Sequence, residues 1–406
     1  MALLVQKFGG TSVGTTERIE AVAELIIRSI QAGHKVVAVV SAMAGDTNRL
    51  LGLARQIDAR ASARELDVLA ASGEQVTVAL LAIALIKRGY PAVSLLADQA
   101  GVLTDNKFGK ARVEQVDTGR LLAELEQGHI AVVAGFQGRD IEGNLTTLGR
   151  GGSDTSAVVL AAALKADECQ IFTDVDGVYT IDPRICPKSQ RLPFVPADEM
   201  LLLAGLGAKV LHVRSVEYAC ASQVPLRVLS TFRPDAGTLI SYQANELSGQ
   251  LPAWSGIACL HGITLLRLAG VSATFCQQLQ HLCIRRNFDI DMLMFADPAQ
   301  GGDGSLMMSL PDQEYDLLQD ELQALAAQYS ADIVGEQRNL AKLSLVGRAL
   351  DEDAAWPPRI ILQLTALNAQ VWAQYQSSKR LSVLMSAELL ETAAKALHQL
   401  LFVGEN

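Results

Sequence analysis

Residues 1–240 alternate between short apolar runs and longer segments with helical periodicity. The valine-rich run Lys35–Ser41 is typical of a buried parallel strand, and Glu17–Ala32 has the spacing of an amphipathic helix. The other predicted elements are the strands Ala2–Phe8, Ala92–Leu95, Ile130–Ala134 and Gln170–Thr173 and the long helix Leu66–Lys87. This alternation predicts an α/β fold with a mainly parallel open sheet and helices on both faces. Ligands of such sheets bind at the carboxyl ends of the strands.

A polar, proline-containing stretch at Gln243–Ala253 marks a domain boundary, and the pattern changes after it. Strands and helices then recur in the order of two βαββαβ units. We therefore predict a catalytic domain at residues 1–245, a linker at 246–256, and ferredoxin-like units at 257–335 and 336–406. The alternative is one irregular α+β domain after the linker.

Composition excludes several classes of protein. The 406 residues carry a formal net charge of -10, which argues against nucleic acid as the main partner, because a phosphate backbone demands a basic surface. The six cysteines form no Cys-x-x-Cys pair, so neither a zinc site nor a disulfide framework is predicted. The N-terminus lacks the layout of a signal peptide, and no apolar run approaches the ~18 residues of a membrane span. We therefore expect a cytoplasmic protein without a membrane partner.

A glycine-rich turn, Gly9-Gly10-Thr11-Ser12, lies between the first strand and the first helix. Adjacent glycines let the backbone approach a ligand closely, and free N–H groups at a helix start attract an anion. Lys7 at the strand end would place a point charge on phosphate oxygens. A tight βα turn with a surface lysine fits the same residues. The chain has neither a P-loop nor a Gly-x-Gly-x-x-Gly fingerprint, which disfavours ordinary P-loop NTPases and Rossmann dehydrogenases.

The segment Thr147–Ser156 is the most specific motif, with three glycines, a guanidinium, hydroxyls and a carboxylate before an alanine-rich helix. Arg150 would hold a carboxylate bidentately, and Asp154 would accept a hydrogen bond from an ammonium group. The alternative is a capped helix start with Ser153 or Asp154 as the N-cap. Because a cap needs no Arg-Gly-Gly, a functional interpretation is favoured.

A second polar motif, Phe172–Tyr179, continues into Asp182-Pro183-Arg184. The acidic residues lack the spacing and terminal glutamate of a calcium-binding EF-hand. A nucleotide pocket fits better, with Tyr179 packing on a base and Arg184 contacting phosphates. A polar turn with a core tyrosine is the alternative. Lys209, in a loop of small residues, is by itself more typical of a surface lysine.

Ser72-Gly73-Glu74 lies within the predicted long helix. A glycine there costs about 1 kcal/mol relative to alanine, which indicates a close approach or a helix start near a ligand. On its own, Glu74 is more simply interpreted as a solvated side chain.

Together these residues resemble the aspartate kinases, most closely the single-function bacterial enzymes of similar length. Order and spacing match over some 240 residues. The matching segments are Lys7–Ser12, Val40–Met43, Gly149–Asp154, Thr173–Tyr179, Asp182–Arg184, Gly207–His212 and Val224–Val228.

The resemblance implies an amino-acid kinase fold followed by two ACT domains, and transfer of the ATP γ-phosphoryl group to the β-carboxylate of L-aspartate. The implied aspartate and phosphoryl-transfer residues are Lys7, Ser41, Thr47, Glu74, Arg150, Ser153 and Asp154, of which Lys7, Arg150 and Asp154 would be catalytic. The implied ATP-binding residues are Lys7, Gly9, Gly10, Thr173, Asp174, Tyr179, Arg184 and Lys209. Mg²⁺ would be bound mainly through the ATP phosphates, without a separate protein metal site.

The implied chemistry agrees with the residues present. The acceptor carboxylate is already ionised at pH 7, so no catalytic base is required. The difficulty is to bring the acceptor carboxylate close to the negatively charged phosphates of ATP. Positioning of the two substrates and stabilisation of charge by Lys7 would therefore make the largest contribution to catalysis.

The C-terminal region departs from the family pattern. Phe295-Ala296 stands where the family has two amides that help to bind an amino-acid effector, and apolar side chains cannot supply those hydrogen bonds. Residues Arg348–Pro358 show little of the usual helix of the second unit. We therefore predict weak or absent feedback inhibition by lysine and threonine, and a homodimer formed through the ACT-like units.

Two other functions stay open at this point. The fold could serve a different carboxylate acceptor in a specialised pathway, since a few side chains change specificity. The chain could also be a weakly active regulatory subunit, although the intact Lys7, Arg150, Asp154 and Asp174 speak against that.

Overall fold

The computed structural model describes residues 1–208, 210–233, 235–242, 252–286, 288, 290–298 and 301–404. The chain forms two compact units, both built from separate stretches of sequence. The N-terminal unit comprises Met1–Val178, Arg191–Gly205 and Lys209–Leu251. The C-terminal unit comprises Tyr179–Gln190, Leu206–Ala208 and Pro252–Asn406.

The N-terminal unit alternates strands and helices, as its sequence pattern predicts. Its strands are β1 Leu3–Phe8, β2 Lys35–Val40, β3 Ala92–Leu95, β4 Val102–Thr104, β5 Val113–Val116, β6 Ile130–Ala134, β7 Gln137–Arg139, β8 Leu145–Thr147, β9 Glu168–Thr173, β10 Phe194–Pro196, β11 Leu226–Ser230 and β12 Thr238–Ser241. Its helices are α1 Thr16–Gln31, α2 Asp46–Ile57, α3 Ala63–Lys87, α4 Gly119–Glu126, α5 Gly152–Ala163, α6 Ala197–Gly205 and α7 Val213–Ser222.

Eight of these strands form one sheet in the order β10-β12-β11-β9-β1-β2-β6-β3. The six strands from β11 to β3 are parallel, and only the β11–β12 pair is antiparallel. In register, Phe8 lies between Val40 and Phe172. The prediction of a mainly parallel sheet is confirmed, and its central strand ends carry the motifs found in the sequence.

Both faces of the central strands are covered. Val36, Ala38 and Val40 on one face of β2 belong to a buried cluster with α1 and α3. Val37 and Val39 on the other face are fully buried too, and α5 packs on β1 and β9. A strand buried on both faces reads as a continuous apolar run, which is why β2 was predictable.

A small second sheet in the order β5-β4-β7-β8 was not predicted. Its strands are three or four residues long, too short to carry a periodic pattern. The sheet holds Thr147, where the glycine-rich segment before α5 begins.

Helix α3 is long and apolar enough to cross a membrane by length and composition alone. Helices in protein cores pass the same test, and 56% of its most apolar window is buried within the protein. Leu81 and Leu85 lie in the same buried cluster as α1 and β2.

The C-terminal unit holds a six-stranded sheet in the order β14-β15-β13-β16-β18-β17. Its strands are β13 Gly256–Ala269, β14 Asp291–Phe295, β15 Leu306–Pro311, β16 Asp332–Val346, β17 Val371–Ser377 and β18 Arg380–Ser386. Its helices are α8 Ala273–Arg286, α9 Asp312–Gln328, α10 Ala349–Glu352, α11 Trp356–Ala366 and α12 Leu390–His398, the last followed by a π turn at Gln399–Val403.

The long strands β13 and β16 run through both halves of this sheet. Residues Ile263–Leu268 of β13 pair with β15, while Gly256–His261 pair only with the second half of β16, next to β18. The chain therefore supplies the last strand of the second βαββαβ unit before the first unit begins. The boundaries at residues 245, 256 and 335 stay a prediction. They assume that one unit follows the other along the chain, whereas this strand order places the first unit inside the second.

The expectation of little helix after Arg348 is wrong. Helix α11 has eleven residues and begins with proline within its first two positions. Proline fits there because the first helical N–H groups have no partner within the helix and the ring fixes a helical φ. Ile360 and Leu364 of α11 are fully buried.

Candidate active site

The carboxyl ends of β1, β2, β6 and β9 are joined by backbone hydrogen bonds. The N–H of Gly9 donates to the Phe172 carbonyl (3.2 Å), and the N–H of Ser41 donates to the Phe8 carbonyl (3.1 Å). The N–H of Gly135 donates to the Val40 carbonyl (3.0 Å). Four loops are thereby held at one edge of the sheet, the place where parallel α/β sheets bind ligands.

Two glycines at this edge are required by close packing. A Cβ on Gly10 would lie 2.9 Å from the carbonyl oxygen of Ala42, and one on Gly135 would lie 3.0 Å from the Cβ of Ser153. The glycine turn therefore packs directly on the loop after β2, and the start of α5 packs on the loop after β6.

Lys7 and Asp154 form an ion pair at this edge. Lys7 Nζ lies 2.5 Å from Asp154 Oδ1, and the two side chains are only 11% and 14% exposed. The Nζ also lies 3.4 Å from the point where a Cβ on Gly9 would be. Asp154 is in the first turn of α5, where the helix dipole stabilises a carboxylate. The first motif and the most specific motif of the sequence thus meet through these two charges.

Glu74 is buried, and its interpretation as a solvated side chain is wrong. Its Oε1 accepts a hydrogen bond from the N–H of Ala42 (2.9 Å), the residue after Ser41. Oε2 is buried with no hydrogen-bond partner among the described residues. Burial raises the pKa of the Glu74 carboxyl to about 7. Glu74 thus places one buried carboxyl oxygen without a partner among the described residues beside the loop after β2.

The neighbouring Gly73 explains how the helix reaches this loop. A Cβ on Gly73 would lie 2.7 Å from the Cβ of Ala42. Of the two explanations offered for this glycine, close approach is the correct one.

The segment before α5 is shaped by glycines and supported by a residue that the sequence analysis missed. Gly149 and Gly151 have φ values of 77° and 66°, which side chains rarely adopt. Between them, Arg150 is exposed. Buried Asp67 on α3 accepts hydrogen bonds from the N–H and hydroxyl of Thr147 at 2.8 and 2.7 Å. Only the tertiary structure reveals this support, because a single aspartate in a helix has no motif.

Three further predicted acceptor-site residues lie in the same part of the N-terminal unit. Ser153 is buried in the first turn of α5, against Gly135. Ser41 directly follows β2, and Thr47 is the second residue of α2; both are half-buried.

Thr173 and Asp174 lie at the end of β9. The Thr173 carbonyl accepts from the N–H of Thr231 (3.0 Å), and the hydroxyls of Thr231 and Ser12 are 2.6 Å apart. Asp174 is exposed. Ser12 and Thr231 were not assigned a role, although each is a hydroxyl residue just after a strand of this edge.

The other three predicted nucleotide residues belong to the C-terminal unit or lie outside the described residues. Tyr179 and Arg184 belong to a segment grouped with the C-terminal unit. Arg184 is exposed and donates to the carboxylate of Asp182, its Nη2 lying 2.6 Å from Oδ2. Lys209 lies outside the described residues. The structure thus brings together Lys7, Gly9, Gly10, Ser41, Glu74, Ser153, Asp154 and Thr173, and their roles stay predictions.

Known proteins resemble this chain along its whole length. Residues 2–230 match the amino acid kinase family. The chain is 46% identical over 400 residues to an aspartate kinase of Stutzerimonas stutzeri, covering 98% of this chain and 97% of that protein. An aspartokinase of Pseudomonas aeruginosa is also 46% identical over 400 residues, with coverages of 98% and 97%.

Solved structures of an aspartokinase also resemble this chain along nearly its whole length. E. coli aspartokinase III in complex with aspartate and ADP aligns with a TM-score of 0.83 at 26% identity, over 98% of this chain and 100% of that chain. Its complex with lysine and aspartate aligns with a TM-score of 0.73 at 26% identity, over 98% and 99% of the two chains.

Proposed function

Because this chain belongs to the amino acid kinase family, we propose that it transfers the γ-phosphoryl group of ATP to the β-carboxylate of L-aspartate. The reaction is that of an aspartate kinase, a phosphotransferase with a carboxyl group as acceptor, and it yields 4-phospho-L-aspartate and ADP. The observation that carries the proposal is the little-exposed Lys7–Asp154 pair beside the glycine turn, with Glu74 on α3 keeping one carboxylate oxygen, Oε2, without a partner among the described residues.

The acceptor is an amino acid with an extra carboxylate, and the residues at the strand edge suit each of its groups. Glu74 Oε2 receives the ammonium group, since it is buried and lacks a partner among the described residues. Exposed Arg150 pairs with a carboxylate in the two-pronged geometry that guanidinium groups favour. Ser41, Thr47 and Ser153 supply hydroxyls.

ATP lies against the glycine turn. The charge of Lys7 faces its phosphates. Gly9 leaves room beside the Lys7 ammonium group, because a Cβ there would lie 3.4 Å from Nζ, and Gly10 lets the turn pack on the Ala42 carbonyl. Thr173 and Asp174 at the end of β9 contact the rest of the nucleotide. The family resemblance implies a nucleotide-binding role for Tyr179, Arg184 and Lys209 as well.

The chemistry needs positioning more than proton transfer. The acceptor oxygen is already an anion, so the barrier comes from bringing it to a charged phosphoryl group. Lys7 neutralises charge on the transferring group, and Asp154 holds the Lys7 ammonium in place at 2.5 Å. The low exposure of the pair strengthens this effect, since water screens it little.

Mg²⁺ would be held mainly by the phosphate oxygens of the nucleotide. The described residues contain no group of three or more His, Cys, Asp and Glu side chains that would hold an ion by themselves. This donor set fits a metal held mainly by phosphate oxygens, with Asp174 or Asp154 as a single protein carboxylate. When bound, Mg²⁺ neutralises phosphate charge.

The decisive test is an ADP-release assay with a panel of amino acids and other carboxylates, combined with hydroxylamine trapping of the acyl phosphate product. We expect L-aspartate to give ADP and a trapped hydroxamate in equal amounts. Turnover with a different carboxylate alone would indicate the specialised acceptor, and no turnover with any acceptor would indicate a regulatory subunit. Either result would overturn the assignment.

We also propose that the protein is a homodimer in the cytoplasm. The six-stranded sheet ends in two edge strands, β14 and β17, and exposed Met294 and Val334 lie on its first half. Unpaired edges and exposed apolar residues of this kind are typical of interfaces. Light scattering coupled to size exclusion should give twice the chain mass of 43.4 kDa.

A further inference from the structure

The turn that carries Tyr179 and Arg184 is anchored in the C-terminal unit. The Thr180 carbonyl accepts a hydrogen bond from the N–H of Ile257 on β13 (2.8 Å). Ile181 and Cys186, on either side of the Asp182-Pro183-Arg184 motif, are buried in the apolar cluster of that unit. The turn is therefore fixed at both ends by residues far along the chain.

Buried His398 contacts both of these ends. The residue ends α12, is 1% exposed, and its ring stacks on Phe402 with centroids 5.0 Å apart. Its Nε2 lies 2.9 Å from the hydroxyl of Thr180, and its Nδ1 lies 3.8 Å from the sulfur of Cys186. Each ring nitrogen thus has one partner on the turn.

A neutral imidazole suits this place. It offers one donor and one acceptor, and each of its two partners can act as either. Burial lowers the pKa of His398, which keeps the ring uncharged at neutral pH. An apolar side chain would fill the same space without holding Thr180, so packing alone does not explain a histidine here.

We propose that His398 is a positioning residue for the nucleotide: through Thr180 and Cys186 it holds the Tyr179–Arg184 turn in its ATP-binding conformation. The inference rests on the proposed function, in which Tyr179 and Arg184 contact ATP. It gives the last helix of the chain a role in substrate affinity. Thr180 directly follows Tyr179, the residue predicted to pack on the base, and precedes Ile181. A shift of Thr180 therefore also moves the Tyr179 side chain.

The test compares three variants in the full-length protein. His398→Leu removes both ring contacts at similar volume, His398→Gln keeps a hydrogen-bonding group towards Thr180, and Thr180→Val removes the partner. His281→Leu is the matched control, because His281 is exposed on α8. MgATP affinity is measured by calorimetry without an acceptor, and the KM for ATP and for the acceptor is measured by ADP release.

We expect His398→Leu to weaken MgATP binding and raise the KM for ATP at least about fivefold, since losing even one buried hydrogen bond has this effect. Thr180→Val should do so at least as much, because it also removes the bond from the Gln190 N–H to the Thr180 hydroxyl (3.0 Å). The KM for the acceptor should stay within about twofold, and His398→Gln should recover most of the ATP affinity. In the double variant His398→Leu/Thr180→Val, the factor by which ATP affinity falls should be smaller than the product of the factors for the two single variants.

Unchanged ATP affinity in folded His398→Leu or Thr180→Val, or an equal rise of both KM values, would overturn the inference. If His398→Leu does not fold, Thr180→Val gives the same decision. Wild-type protein that binds MgATP but phosphorylates another acceptor would overturn the proposed function alone. Wild-type protein that binds no MgATP would overturn both.

Discussion

Lys7 is the residue on which the proposed chemistry depends most. We expect Lys7→Ala to lower kcat roughly 10²–10³-fold, as for the loss of one preorganised charge-stabilising group, with a much smaller change in the KM for aspartate. Steady-state kinetics with both substrates would measure this, with exposed Lys87→Ala as the control. Equal loss of kcat and of aspartate affinity would contradict the role assigned to Lys7.

If Glu74 binds the ammonium group of the acceptor, as proposed, acceptor binding should depend on pH. The Glu74 pKa of about 7 means that the carboxyl becomes anionic, and attractive to an ammonium group, as the pH rises from 6 to 8. The KM for aspartate should therefore fall over this range in the wild type and stay flat, at a higher value, in Glu74→Gln. A wild-type profile that matches the Glu74→Gln profile would show that Glu74 does not bind the ammonium group.

The Glu74 carboxyl should also make the free energy of unfolding depend on pH, and here a higher pH is unfavourable. Its pKa is raised from 4.5 to about 7, so the folded state prefers the protonated form. This contribution is fully present below pH 4.5 and is lost as the pH rises through 7, by about 3 kcal/mol in total. Glu74→Gln should remove this part of the pH dependence of thermal unfolding.

At the scale of elements, the contact between α3 and the loop after β2 depends on the absence of one side chain. Gly73→Ala should destabilise the protein by about 1–3 kcal/mol, because the new Cβ would meet Ala42 at 2.7 Å and the helix must shift. The KM for aspartate should rise as well, since Ala42 donates to Glu74. Thermal melts and kinetics would measure both effects.

Gly52→Ala in α2 is the matched control, because no atom lies within 4 Å of its added Cβ. Alanine there should be neutral or stabilising by about 1 kcal/mol, as helix propensity predicts. If Gly73→Ala also proves neutral, the close approach does not constrain the site.

For the whole molecule, we predict that lysine and threonine inhibit weakly or not at all. Phe295 and Ala296 line a cavity of about 460 Å³ whose other side chains are mostly apolar. The nearby Asp291 carboxylate is already paired within the chain, its Oδ2 lying 2.6 Å from both Lys342 Nζ and Arg380 Nη2. The polar side chains of the cavity are those of Arg267 and Ser305, and neither they nor the paired Asp291 replaces the two side-chain amides of the family pattern.

Activity at saturating substrates should therefore fall only slightly or not at all with millimolar lysine, threonine or both together. The double substitution Phe295→Gln with Ala296→Asn, which restores two amides, is the matched comparison. Strong inhibition of the wild type would overturn the prediction.

Much of the N-terminal sheet followed from local pattern. Strands β2, β3 and β6 and helix α1 were predicted to within a residue or two, because buried strands are continuous apolar runs and amphipathic helices repeat every 3.6 residues. The four-stranded second sheet was missed because three-residue strands have no period to detect. The start of helix α11 was not predicted, although its two prolines stand where helices accept them.

By itself, the sequence determined the alternating fold of residues 1–240, the family, and the motifs that carry charge, because each depends on neighbours along the chain. Only the tertiary structure decided that Lys7 meets Asp154, that Glu74 is buried with a raised pKa, and that Asp67 supports Thr147. The tertiary structure also decided that the Tyr179–Arg184 turn is anchored by His398. These facts depend on burial and on contacts between residues as many as 218 positions apart, as for Thr180 and His398. No local pattern encodes such contacts, because they follow from how packed elements exclude water and bring distant side chains together.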